Sequence, residues 1–335
     1  MAETTLSFSG PLFVVGMPRC GTKLLREILN AHPSVRIIGF ETEFLPYWVS
    51  NWERFGELAD QRQFRSFYES CLVLPFFVYL NDKNVDVDAD EWYEMCDDFS
   101  AAGVFEALAR VHLGVSSSTD VIWGDKSPSY LTHMDLIKRL YPGARFIHIV
   151  RDVRDYCLSI NRAWGKNMIR AAQRWSDDVG SARSMAPQLK NDYLEMKYEE
   201  LLDSPESTIR KVCTFLAIPF IADVLDLSRP TENLGDAKGI QGIVKNNTGK
   251  YERAIDPRTL EKIQSIACET MTAAGYKCDR AVKSVRVGRA RMRLYQLLDG
   301  LSLLRFSAKE RGVKGALSFV YRYFATSGNR QTFND

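Results

Sequence analysis

Nothing in this 335-residue chain approaches 18 uninterrupted apolar residues, and its opening, Met1-Ala2-Glu3-Thr4-Thr5, lacks a basic stretch followed by an apolar one. Neither a membrane span nor a secretory leader is expected. Paired cysteine spacing is missing too: Cys20, Cys71, Cys96, Cys157, Cys213, Cys268 and Cys278 are scattered and odd in number. That pattern suits a reducing compartment, hence a cytoplasmic protein, and offers no zinc site. Asp82, Asp86, Asp88 and Asp90 lack the central glycine and terminal glutamate of a calcium loop, so a solvated acidic loop is expected there and no metal. A large net charge is absent as well, at +2 overall, and no nucleic-acid partner is expected. The balance hides an asymmetry. From Arg280 to Asp335 there are 12 Lys/Arg against 3 Asp/Glu, whereas the preceding part has 32 against 39.

What the chain does have is ample core material, 45% hydrophobic, and a stretch around which the rest is organised. Leu12 to Val15 is a short apolar run stopped by Gly16, and Leu24, Leu25, Ile28 and Leu29 follow at helical spacing. The pattern is strand, tight loop, helix, with glycines at both ends of the loop and basic residues at Arg19 and Lys23. Such a loop surrounds an anion with backbone N–H groups and a helix N-terminus. Gly16 and Gly21 have the spacing of an NTPase phosphate loop, but Thr22 follows the second glycine and Lys23 comes one position late. One residue turns a helix side chain by about 100°, which makes Arg19 the better source of charge.

Two further strand ends carry polar residues. Val121-Ile122-Trp123-Gly124 reads as a buried strand ending in Asp125-Lys126-Ser127-Pro128, and Arg145 to Val150 as another ending in Arg151, with Ser159 and Arg162 along the helix that follows. Ligands of open parallel sheets meet the carboxyl ends of strands, so Lys126, Arg151 and Arg19 are expected at one crevice. A strand-end arginine and a helix hydroxyl would pin a second phosphate. His148, inside its apolar strand, reads as a core histidine. Val35 to Ile38 is a candidate strand, residues 47–113 a mainly helical block, Ser204 to Leu216 a helix, and a further helix follows Pro257.

These residues carry a resemblance. Val14 to Thr22 resembles the 5′-phosphosulfate loop of sulfotransferases that use 3′-phosphoadenylyl sulfate (PAPS), and Phe146 to Ser159 their 3′-phosphate motif. Ala31-His32-Pro33-Ser34-Val35-Arg36 with Glu41-Thr42 is similar to the branch containing the tyrosylprotein sulfotransferases and related bacterial enzymes. Lys197-Tyr198-Glu199-Glu200-Leu201 and Lys245 to Tyr251 resemble two cofactor-contacting segments of the same family. The likeness covers residues 10 to about 278. It implies an α/β, three-layer P-loop-like fold with a central, mainly parallel sheet flanked by helices. The domain would be 1–278, with 47–113 as a helical acceptor-side insertion and 279–335 as a basic helical extension.

The resemblance also implies roles. Glu41 would be the general base, with Glu43 in reserve. Lys126 would face the transferring group, and Arg19 would clamp the 5′-phosphosulfate. The nucleotide would meet Arg19, Cys20, Gly21, Thr22, Lys23, Arg151, Ser159, Arg162, Tyr198 and Lys250, leaving adenosine 3′,5′-bisphosphate as product. Cys20 and Lys23 stand where the family places hydroxyl residues, Tyr251 where it places tryptophan, and Pro128 where cytosolic members place a histidine base. The partner would be a hydroxyl-bearing acceptor: carbohydrate, lipid, phenol or tyrosyl. A small-molecule kinase using ATP and a non-catalytic nucleotide-binding or membrane adaptor are the rival readings. In the basic tail, Leu294, Leu297, Leu298, Leu301 and Leu304, then Phe319, Val320, Tyr323 and Phe324, suit amphipathic helices that lie on a membrane, self-associate, or pack on the domain.

Overall fold

The computed structural model describes residues 8–116, 121–231, 238–278 and 285–327, with side chains placed through Lys309. Strand β1 (Leu12–Gly16) leads into helix α1 (Thr22–Asn30) and β2 (Val35–Ile37). Five helices follow: α2 (Leu45–Asn51), α3 (Gln61–Cys71), α4 (Pro75–Asn81), α5 (Ala89–Glu94) and α6 (Ala101–Leu113). The chain returns to the sheet with β3 (Ile122–Asp125), α7 (Met134–Leu140) and β4 (Arg145–Val150), then leaves through α8 (Val153–Trp164) and α9 (Met168–Leu189). Last come β5 (Tyr193–Lys197), α10 (Tyr198–Asp203), α11 (Pro205–Leu216), α12 (Tyr251–Ala254), α13 (Pro257–Ala273) and α14 (Arg289–Ser327).

The five strands are parallel in the order β2-β3-β1-β4-β5. Because side chains alternate along a strand, β1 sends Phe13 and Val15 into one core and Leu12 and Val14 into the other. In β4, Phe146 and Val150 join the first core and Ile147 and Ile149 the second. That double burial is why these strands read as continuous apolar runs. The register pairs Phe13 with Asp125 and Gly16 with Ile149, so the loops that leave β1, β3 and β4 emerge from one edge of the sheet.

The helical block after β2 packs through its rings: Trp48 lies 5.1 Å from Phe67 and 6.0 Å from Trp92, centroid to centroid. In the acidic stretch Asp88 caps α5 by accepting from the N–H groups of Asp90 and Glu91, and Asp90 pairs with Arg65 at 2.7 Å.

Two expectations need correction. Cys268 and Cys278 form a disulfide. Gly275, at φ 74°, turns the chain back at the end of α13, and Tyr276 N–H donates to Met271 O at 2.8 Å, which brings the two Cα atoms to 5.6 Å. The argument for a reducing compartment from unpaired cysteines therefore falls. The tail, expected as several helices, is one long helix within the described residues. Buried Asp299 ties it to the body by accepting from Asn167 N–H at 2.7 Å and from Arg170 at 2.8 Å. Leu294, Leu297, Leu298 and Leu301 lie exposed on the opposite face. Among the described residues, no helix is long and apolar enough to cross a membrane.

Candidate active site

The loop after β1 is shaped by its backbone. Gly21 has φ 96°, and a Cβ there would lie 2.4 Å from the Tyr198 ring, so only glycine lets the loop pass under that ring. Gly21 is also the N-cap of α1 and provides no side-chain cap. The first helical bond runs from Leu25 N–H to Gly21 O, so the N–H groups of Thr22 and Leu24 have no acceptor within the helix. They form the positive end of the helix, where an anion is stabilised. Lys23 is half-buried beside them. Arg19 adopts a left-handed φ of 71°, a conformation that costs a non-glycine residue about 1 kcal/mol or more. It carries the guanidinium across to α8, where Nε reaches Ser159 Oγ at 3.5 Å.

Cys20 does not belong to this donor set. Its N–H donates to Met17 O at 3.1 Å, closing a turn, and its thiol is buried in the core, where burial pushes its pKa up to about 12. The apolar pocket beneath the loop takes this side chain, so Cys20 shapes the loop from behind.

Arg151, at the end of β4, ties the loop after β1 to a later segment of the chain. Its guanidinium donates to Arg19 O at 3.0 Å and Asn247 O at 2.9 Å, and lies 4.6 Å from the centre of the Tyr198 ring. The residue is buried, yet its Nε has no hydrogen-bond partner among the described residues. A buried charged donor without an acceptor is costly unless a ligand completes it. Ser159 is half-buried on α8, and Arg162, three residues on and so on a neighbouring face, is exposed.

A third segment closes over this pair. Asn247 Nδ2 donates to the Tyr198 hydroxyl at 2.8 Å, and Lys250 Nζ donates to Asn247 Oδ1 at 2.8 Å. Asp155 fixes the segment from below by accepting from the N–H groups of Gly249 at 2.6 Å and Tyr251 at 3.0 Å. Burial raises the Asp155 pKa, against the lowering effect of Arg151 and those two N–H groups. The Arg154 guanidinium lies 4.2 Å from the centre of the Tyr251 ring, an aromatic–cation contact at the position where the family places tryptophan. Asn247 and Asp155 lay inside the quoted motifs, but nothing in the local sequence marks the partners they choose.

On the same sheet edge, Lys126 Nζ meets Glu41 Oε1 at 2.5 Å. The lysine is 4% exposed and the glutamate 46%, so a buried cation is presented to solvent through a carboxylate. Glu43, with a left-handed φ of 55°, follows in the same irregular segment. His148 is fully buried, its Nδ1 2.7 Å from the Tyr193 hydroxyl, and burial pushes its pKa down to about 3. It is a neutral core residue.

The chain is similar to known proteins. The model of the sulfotransferase family matches residues 11–222, more than half of the chain. A putative protein-tyrosine sulfotransferase of Caenorhabditis briggsae is 25% identical over 279 residues, covering 78% of this chain and 87% of that relative. Protein-tyrosine sulfotransferase 1 of Danio rerio is 23% identical over 265 residues, covering 75% of this chain and 64% of its own length. Among solved structures, the sulfotransferase domain of the curacin biosynthetic pathway superposes with a TM-score of 0.52 at 19% identity, covering 81% of this chain and 99% of that domain; the likeness is one of fold. Both anion motifs lie inside the matched span, and the chain belongs to the sulfotransferase family as a PAPS-dependent sulfotransferase.

Proposed function

We propose that the N-terminus of α1 with Arg19 holds the donor's 5′-phosphosulfate, that Arg151 and Ser159 hold its 3′-phosphate, and that Glu41 and Lys126 carry out the transfer to an acceptor hydroxyl. The unpartnered Nε of buried Arg151 supports the fit, since an anion there supplies the missing acceptor. Thr22, Lys23, Tyr198, Arg162 and Lys250 are assigned to the same donor, and Lys250 and Tyr198 are joined through Asn247.

The donor supplies a sulfuryl group on a bridging oxygen. A new S–O bond forms to the acceptor oxygen, the bridging S–O bond breaks, and its electron pair leaves with the 5′-phosphate. The chain positions the groups and stabilises developing charge, as in phosphoryl transfer. Lys126 engages Glu41 Oε1, and we assign Oε2 to receive the acceptor proton. Lys126 Nζ would stand beside the bridging oxygen, and Arg19 would offset charge on the phosphosulfate.

The observation that carries this reading is the Lys126–Glu41 pair on the sheet edge that also bears the Arg19 loop. Of the possible acceptors, a tyrosyl hydroxyl is the first to test, because the relatives above carry that name. Radiolabelled PAPS offered with tyrosyl peptides, phenols, sugars and lipids tests it. Glu41→Gln is expected to keep adenosine 3′,5′-bisphosphate affinity while turnover falls about 10²- to 10⁴-fold. Turnover near wild type in that variant removes Glu41 from its role.

The same proposal divides the chain into a catalytic domain, 1–278, and a basic extension, 279–335. The extension is assigned a peripheral contact with anionic lipid. Its support is the exposed leucine row on α14, which is accompanied by exposed Arg291, Arg293, Arg305 and Lys309.

A further inference from the structure

Glu41 sits on a segment with little backbone support. Between Ile38, whose N–H donates to Gly124 O at 2.9 Å, and Phe44, whose O accepts the first bond of α2 from Trp48, the chain forms no strand or helix. Side chains hold it instead. Thr42 N–H donates to Ser127 Oγ at 2.9 Å, Glu43 N–H reaches the same oxygen at 3.4 Å, and Leu45 N–H donates to the Tyr130 hydroxyl at 3.2 Å. Both holding groups, the Ser127 and Tyr130 hydroxyls, lie just past β3, on the stretch that carries Lys126.

The hydroxyls form one directed chain. Leu45 N–H donates to the Tyr130 oxygen, and Thr42 Oγ1, whose one proton goes to Asp125, accepts from the Tyr130 hydroxyl 2.7 Å away. The Thr42 bond to Asp125 Oδ2 is 3.0 Å long. Ser127 Oγ lies 3.4 Å from Thr42 Oγ1. Thr42, Asp125, Ser127 and Tyr130 are all essentially excluded from solvent. Both bonds of Thr42 Oγ1, to Asp125 and to Tyr130, are buried, and breaking either strands a polar group away from water.

We propose that Thr42, locked by Asp125, Ser127 and Tyr130, is a positioning residue: it ties the Glu41 segment to the Lys126 segment, so that base and cation are held as one unit across 85 residues of sequence. The inference rests on the roles given above to Glu41 and Lys126. Glu41 itself is half-exposed and gains no fixed place from packing, whereas Thr42, the next residue, is 2% exposed and bonded on three sides. The precision that transfer requires therefore enters through Thr42. A displacement of about 1 Å at a reacting group costs on the order of 10²-fold in rate.

The test compares Thr42→Val, which keeps the shape and the backbone N–H but removes the hydroxyl, with Thr42→Ser, which keeps the hydroxyl. Each is made in wild type and in Glu41→Gln. Tyr130→Phe serves as a second route to the same network, and adenosine 3′,5′-bisphosphate binding reports that each variant is folded. The expected result is that Thr42→Val and Tyr130→Phe lower kcat by about 10- to 100-fold while bisphosphate affinity stays within about twofold, and that Thr42→Ser restores most of kcat. In the Glu41→Gln background, Thr42→Val should add little, since the group it positions is already gone. The proposal is overturned if Thr42→Val turns over like wild type, if Thr42→Ser is no better than Thr42→Val, or if the Thr42→Val loss multiplies undiminished onto Glu41→Gln. Full activity of Glu41→Gln alone would instead overturn the base assignment, a separate failure read from a separate variant.

Discussion

Replacing Arg151 with lysine keeps the charge and removes the fork. In the native protein one guanidinium serves two carbonyls from distant segments, Arg19 O at 3.0 Å and Asn247 O at 2.9 Å, while Nε has no acceptor among the described residues. An ammonium is a compact point donor that cannot span both carbonyls and the ligand in that planar geometry. Leaving one buried carbonyl unmade costs about 1–3 kcal/mol of stability, and losing a charged hydrogen bond to the ligand costs about 1.5–3 kcal/mol of affinity. Arg151→Lys should therefore bind adenosine 3′,5′-bisphosphate about 10- to 100-fold more weakly. Without ligand it should also melt a few degrees lower. Calorimetric titration, with a melt of the unliganded protein, checks both. A Kd within twofold of wild type in a normally melting variant would refute the idea that Arg151 couples the two anion sites.

Two other outcomes follow from the same geometry. Burial pushes the Asp125 pKa from 3.8 up to about 7, against its hydrogen bonds from Ser127 and Thr42 and the nearby Lys126. The folded protein thus holds this proton more tightly than the unfolded chain. Its contribution is complete below about pH 3.8 and is lost as pH rises through about 7. Asp125→Asn, which mimics the protonated acid, should gain about 2 to 3 kcal/mol on wild type between pH 5 and pH 8, read from urea unfolding; an equal difference at both pH values would be inconsistent with the shift. For the extension, flotation with vesicles should show binding that needs anionic lipid, weakens in high salt and is lost in Leu297→Glu/Leu301→Glu. Equal recovery with neutral vesicles would remove the anionic headgroup from the proposal, and a concentration-dependent dimer broken by that variant would replace lipid with a second copy.

Much of the fold was legible because its signals are local. Leu12 to Val15 and Arg145 to Val150 are apolar on both faces, as strands between two helical layers must be, and the helices at Thr22–Asn30 and Pro205–Leu216 carry their own periodicity. Within the site, Arg19, Arg151 and Lys126 could be assigned to one crevice because parallel strands deliver their carboxyl ends to the same edge. The adjacency of Glu41 to Lys126 was legible only through family resemblance, for 85 residues separate them and the sheet order brings them together.

Other features had no local signal. Cys20 occupies a donor position in the motif, but the direction of its side chain follows from the left-handed turn at Arg19 and the core behind it. The Cys268–Cys278 bond depends on a chain reversal at Gly275, and α14 depends on Asp299 finding Arg170 across 129 residues. The sequence by itself determined the layers, the two strand-to-helix loops and the chemical types at the strand ends, since these depend on side-chain alternation and backbone freedom within a few residues. Only the tertiary structure decided which side chains meet, which cysteines bond and which face of the last helix stays in water, because those outcomes depend on where distant segments come to lie.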